Sequence, residues 1–185
     1  MLCAGLLALA GIASANESIR FQANARVFID EDGVPSRVEP NASLGEDIRR
    51  LVERKVLRWR FEPAVVDGKP RAGSTFVFLT GCAVPREGNG YDIAMVYSHN
   101  GPGLAGGVLR SQPPSYPPAA ARGGNEGSFR VVIDIDVDGS ARMKSIEAIK
   151  GNARPFREML RTWAASQAYV PEEVDGAPVT TTISA

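Results

Sequence analysis

The chain has 185 residues, in which 21 lysines and arginines balance 21 aspartates and glutamates, and it contains one histidine. With no net charge there is no global basic field to gather nucleic acid or an acidic lipid surface, so no nucleic-acid partner is expected. The length suits one ordinary domain or two small ones near the lower limit for independent folding.

Residues 1–15 carry no charge, are built largely from Leu, Ala and Gly, and end in Ala13-Ser14-Ala15, the small-residue pattern that signal peptidase cuts after. They are expected to be a signal peptide that exports the chain. The basic leader that normally precedes such a run is missing, which leaves open an upstream start or an uncleaved apolar anchor, although the run falls short of the roughly 20 residues a span needs. Cys3 then leaves with the signal and Cys82 stays alone in an oxidising compartment, so no disulfide framework exists. Leu79-Thr80-Gly81-Cys82 matches a lipoprotein box only as a pattern, because no N-terminal apolar run precedes it. Cys82 is expected to be a small buried residue at a strand end.

From Ala25 the chain alternates, with Ala25, Val27 and Ile29 on one face and Arg26, Phe28 and Asp30 on the other, the period of a half-buried strand. Asp32-Gly33 supplies the positive φ of a hairpin turn, and a second strand follows over residues 34–39. Ser43 with Glu46 has the spacing of a capping box. Ile48, Leu51, Val52, Val56 and Trp59 then recur at helical spacing, with Arg49, Arg50, Glu53, Arg54 and Arg58 turned outward as a solvated face. Pro63 ends this helix, and Asp67-Gly68 turns the chain into a strand over residues 74–79. Residues 85–109 are rich in glycine and predict a linker, with one short strand at 91–97 and His99 as a turn residue.

The pattern then repeats. A shift of 106 residues sets Val27 on Ile133, Ile29 on Ile135 and Asp32-Gly33 on Asp138-Gly139. A shift of 108 sets Phe61 on Tyr169, Pro63 on Pro171, Asp67-Gly68 on Asp175-Gly176 and Pro70 on Pro178. Between these marks lie a return strand at 143–149 and a helical stripe of Phe156, Met159, Leu160 and Trp163 with Pro155 in its first turn. Residues 179–185 form the closing strand. The expectation is an α+β chain of two tandem small domains, each a three-stranded antiparallel sheet with one amphipathic helix across it: residues 18–84 and 110–185, joined by 85–109.

Motifs for chemistry are sparse. Asp134, Asp136 and Asp138 before Gly139 open like a calcium loop, but Ser145 stands where its closing glutamate belongs, so they are expected to be the outer face of a strand. No nucleophile elbow, no Cys-x-x-Cys pair and no phosphate-cradling glycine loop is present. No enzyme, metal or cofactor is expected.

Gln112-Pro113, Tyr116-Pro117-Pro118-Ala119-Ala120-Ala121-Arg122, a Glu-Gly before a strand, Asp-Val-Asp-Gly at its turn, an amphipathic helix, an aromatic-x-Pro and an Asp-Gly-x-Pro follow one another in residues 112–185. This order resembles the C-terminal domain of TonB energy transducers. The first copy lacks the Gln-Pro-Tyr-Pro lead-in but has the more typical Trp59-Arg60-Phe61-Glu62-Pro63. The resemblance implies a periplasmic domain that grips an extended peptide of an outer-membrane or envelope protein by adding it as a strand to its last strand. Carried over by position, the docking edge is Val179, Thr180, Thr181, Thr182, Ile183 and Ser184, with Gln112 and Tyr116 close to the peptide.

The departures are the short distance from Ala15 to the first copy with no proline-rich spacer, one extra residue before Tyr116, Gln167-Ala168 in place of Trp-Arg, and a shortened last strand. They favour a periplasmic peptide-binding module over an energy transducer whose anchor lies upstream of Met1. A structural pseudo-dimer with the two last strands paired to each other is the other alternative. Membrane attachment follows only if residues 1–15 are uncleaved, and a homodimer is left open.

Overall fold

The computed structural model describes residues 18–86, 88, 90–109 and 111–185, so the expected signal peptide lies outside the described residues. The first strand, β1 (Ile19–Ile29), begins earlier than its alternation suggested and buries Ala23, Ala25 and Val27 at 1% exposure or less. Its turn is held by the Asp30 carboxylate, which accepts the amides of Asp32 and Val34, and β2 (Pro35–Pro40) returns antiparallel. Helix α1 (Glu46–Val56) follows and buries Val52 and Val56.

The expected capping box is not formed. Gly45 is the N-cap, and the Asn41 side-chain oxygen takes both the amide and the hydroxyl of Ser43 at 2.9 and 2.7 Å. An Asx turn thus holds Ser43 two residues before the N-cap, where it does not cap the free amides of the first turn. The helix also stops short of Trp59, whose amide donates back to Val56. Next comes a small hairpin, β3 (Ala64–Val66) and β4 (Lys69–Arg71), turned by Asp67 and Gly68 at φ 52° and 74°.

Strand β5 (Gly73–Pro85) runs for 13 residues, well beyond the expected 74–79. Cys82 therefore lies within the strand, half-buried between Arg20 and Ala94, rather than at a strand end. The expected linker also contains a full strand, β6 (Tyr91–Gly101), paired with β5 from Phe76 to Pro85. His99 belongs to this strand and stacks on Phe78 with ring centroids 4.4 Å apart, so it is not a turn residue. A two-residue strand, β7 (Gly103–Leu104), completes the first half.

The second half starts with α2 (Pro118–Arg122), then β8 (Gly127–Ile135) and β9 (Ala141–Gly151). A 3-10 turn at Arg154–Phe156 leads into α3 (Arg157–Ser166). The chain closes with β10 (Tyr169–Val170), β11 (Glu173–Val174), β12 (Ala177–Pro178) and β13 (Thr181–Ser184).

The fold is α+β, mostly strand, with antiparallel pairing in every sheet. Of the two larger sheets, one has the order β9-β8-β13. The other has six strands rather than three: β2, β1 and β5 are joined by β6 and by the hairpin β11–β12, both on the far edge of β5. Two clusters of buried side chains result. Ala23, Ala25, Val27, Val52, Val56, Val77 and Leu79 form one, and Val131, Ile133, Ile135, Phe156, Leu160 and Ala164 form the other.

The repeated motifs prove to be contact partners. The Phe61 amide donates to the Gly33 carbonyl at 2.9 Å, and the Tyr169 amide donates to the Gly139 carbonyl at 2.9 Å. Each glycine has a positive φ, 75° and 81°, and a Cβ on either would collide with the carbonyl oxygen of its aromatic partner. The hairpin glycine and the aromatic after the helix thus form one latch, used once in each half.

Candidate functional site

The expected docking edge, β13, is set by the chain that precedes it. Tyr169 is latched to Gly139, and β10 pairs with β7. Asp175 at φ 50° and Gly176 at φ 77° turn the hairpin β11–β12, and the Val179 amide closes back on the Glu172 carbonyl at 2.9 Å. The chain then lies on β8, with Thr181 opposite Ile135 and Ile183 opposite Ile133. Ala185 and Val131 exchange both backbone bonds at 2.9 and 2.8 Å, extending the ladder by one residue.

The side chains of β13 divide by face. Ile183 packs on the second core, while Thr180, Thr182 and Ser184 are exposed. The Thr182 hydroxyl donates to Asp134 at 2.7 Å, and Lys144 and Arg142 reach the same carboxylate from β9 at 3.3 and 3.2 Å. The Thr182 hydroxyl foremost, with Lys144 and Arg142, holds the Asp134 carboxyl below its ordinary value against the opposing effect of desolvation. The acid row on β8 is thus a strand face tied to its neighbours. Among the described residues no group of three or more His, Cys, Asp or Glu side chains is placed to hold a metal ion.

Among the described residues β13 pairs with β8 alone, and its other edge is open. That edge borders two hollows shared with the first half. Val179, Thr180, Thr181 and Thr182 line a cleft of about 650 Å3 with Glu172, Glu173, Ser74, Thr75 and Phe61. Ile183 lines a smaller, mostly apolar cavity of about 300 Å3 with Tyr169, Leu104, Leu109, Phe78 and His99. Burial in this region pushes the Tyr169 hydroxyl above its ordinary value.

The cleft has a polar floor. Glu172 accepts from the Thr75 hydroxyl at 2.6 Å and from Thr181 at 3.0 Å, while Glu173 pairs with Arg26 at 2.8 Å and accepts from Ser74 at 3.1 Å. These contacts fix the hairpin β11–β12 on β5. The sequence did carry a signal for them: at the repeat spacing Glu172 and Glu173 fall on Ala64 and Val65, an apolar pair in the first copy. The first-copy hairpin β3–β4 pairs with no other strand among the described residues.

Gln112 and Tyr116 are both held against the α3 side of the second half. The Gln112 carbonyl accepts the Trp163 indole N–H at 2.7 Å, and Tyr116 packs edge-on against Phe156 at 5.5 Å with its hydroxyl on the Asn125 carbonyl. Tyr116 lines a hollow with Met159 and Trp163 on the α3 side of the second half. Trp163 thus ties Gln112 to α3, while its neighbour Ser111 lines the apolar cavity that also holds Ile183 of β13.

The two last strands, β5 and β13, do not pair with each other, because β6 and β11 take the edge of β5. No helix among the described residues is long and apolar enough to cross a membrane. No family model matches the chain, and no curated protein or solved structure is significantly similar to it.

Proposed function

We propose that the chain is a periplasmic peptide-binding module made of two tandem TonB C-terminal-type units, which takes an extended segment of an outer-membrane or envelope protein as an added strand on β13. The observation that carries this reading is the contrast between equivalent edges. In the first half the edge of β5 is filled along its length by β11 and β6, and in the second no strand among the described residues lies along the matching edge of β13. The β5–β6 ladder displays the geometry that a guest strand would adopt on β13.

Affinity has to come from more than the ladder. A four-residue strand exposes about four backbone groups on one edge, worth roughly 4 kcal/mol net, which alone corresponds to about millimolar binding. The two hollows beside β13 supply the remainder by accepting alternate side chains of the guest, as in other strand-addition sites. The second half thereby acts as the binding unit and the first half as one wall of its groove. The role is recognition, not catalysis.

Titration of the chain with TonB-box and cell-envelope peptides, followed by amide NMR, tests this. Binding is expected to shift residues 179–184 and their partners at 131–135. A full set of peptides that leaves residues 179–184 unmoved would remove β13 as the docking edge.

A further inference from the structure

Strand β6 has two edges. One pairs with β5, and the other pairs with no strand among the described residues. Edges of this length are normally blunted by lysine, proline or an inward charge. Residues 91–101 contain no Lys, Arg or Pro, and their one carboxylate, Asp92, is engaged by Arg86. Val96, Tyr91 and Tyr97 are exposed at 63%, 50% and 50%. Apart from the bulge at Ser98, where the register with β5 shifts, nothing on the strand itself repels a further strand.

A second observation lies on the face of β6 that looks toward α1. The helix packs over β1 and β2 and leaves the β6 side of the sheet partly uncovered. There Ile93, Met95, Leu51 and Trp59 line a hollow of about 370 Å3, together with Arg54, Lys55 and Arg58. None of these three cations has an ion-pair or hydrogen-bonding partner among the described residues. The negative end of α1 favours cations at this position, but it needs no apolar floor beneath them.

We infer that β6 is a second docking edge, separate from β13, which takes an extended acidic segment of a partner protein. The guest backbone pairs with β6 while alternate side chains turn toward α1. Apolar ones cover Ile93 and Met95, and carboxylates meet Arg54, Lys55 and Arg58. Charge complementarity selects this occupant. A basic segment would be repelled by the rim, and a second copy paired through its own β6 would offer it only Asp92, which Arg86 already holds.

Two short synthetic peptides decide the matter, one alternating threonine with leucine and glutamate, the other threonine with leucine and lysine. Each is titrated into the full chain while amide shifts and hydrogen exchange are followed. The glutamate peptide alone is expected to shift residues 91–101 and to slow exchange of their outward amides. An Arg54→Ser, Arg58→Ser variant with an otherwise unchanged amide spectrum should bind it roughly tenfold more weakly, and Arg54→Lys, Arg58→Lys should retain it. Equal binding of both peptides, or a response confined to β13, overturns the proposal. So does protection of β6 that depends on protein concentration alone, since a second copy would then occupy the edge.

Discussion

In the first half the last strand, β5, runs for 13 residues with neighbours along both edges, whereas in the second half β13 runs for four with a neighbour along one. Both strands follow an Asp-Gly hairpin and both are preceded by the same glycine–aromatic latch. The difference therefore lies in what the chain adds beside the sheet. Among the described residues β6 and β11 lie along β5, and no strand lies along the matching edge of β13. The same latch and hairpin thus precede a last strand paired on both edges in one half and on one edge in the other.

The latch gives the strongest way to break this comparison. Gly33→Ala and Gly139→Ala each place a Cβ against a backbone carbonyl at positive φ, and each is expected to cost about 2–4 kcal/mol in urea unfolding. Equal losses would confirm that the latch does the same work in both halves. Loss at only one would show that the repeat is formal. Ile133→Ala, at a fully buried position equivalent to Val27, should cost about 2–5 kcal/mol through the cavity it leaves, read from the same unfolding curves.

A smaller effect is expected where the halves meet. Glu173→Gln removes the carboxylate that pairs with Arg26 and accepts from Ser74, both at partly exposed positions, and should destabilise by about 1 kcal/mol. A double-mutant cycle with Arg26→Gln separates the pair from the two single losses.

Asp134 provides a pH test on the second half alone. Its carboxyl is depressed in the folded protein, so it contributes stability above its unfolded value near 4, and that contribution is lost as pH falls through the lower folded value. Thr182→Val removes the largest cause of the depression. Its acid unfolding curve should therefore be flatter below about pH 4 than that of the unaltered chain, as followed by circular dichroism.

The smallest expected effect is that of Ser43→Ala. A genuine N-cap would lose about 1 kcal/mol, whereas Ser43, held by Asn41 outside the helix, should lose under about 0.5.

Sequence patterning reached the local elements and missed the long-range ones. The buried face of β1 and β8, the turns at Gly33 and Gly139 and the helices α1 and α3 follow from period and turn chemistry, because Val27, Gly33, Ile133 and Gly139 announce themselves within a few residues. Strand β6 was only half visible. Residues 91–97 have apolar character, but 98–101 are polar, and they are strand only because β5 continues opposite them. The docking of β11 on β5 is written in no local pattern; it depends on Arg26 and Ser74, far away in the chain. Ser43 illustrates the opposite failure, in which a correct motif was claimed by a nearer partner, Asn41. Of the candidate site, a closing strand at 179–185 was legible from the repeat, and its place as a docking edge came only from the family resemblance. The walls of its groove, Phe78, His99 and Glu172, come from another half or from a departure in the repeat.

The hairpin β11–β12 also fixes an order of assembly. Glu173 meets Ser74 across 99 residues of chain, so this contact closes a very long loop and has to wait for β5 to be in place. A chain made from its N-terminus completes β1, α1, β5 and β6 from neighbouring segments first, and only then seats the hairpin that aims β13. The cleft beside β13 therefore rests on a contact that spans 99 residues of chain.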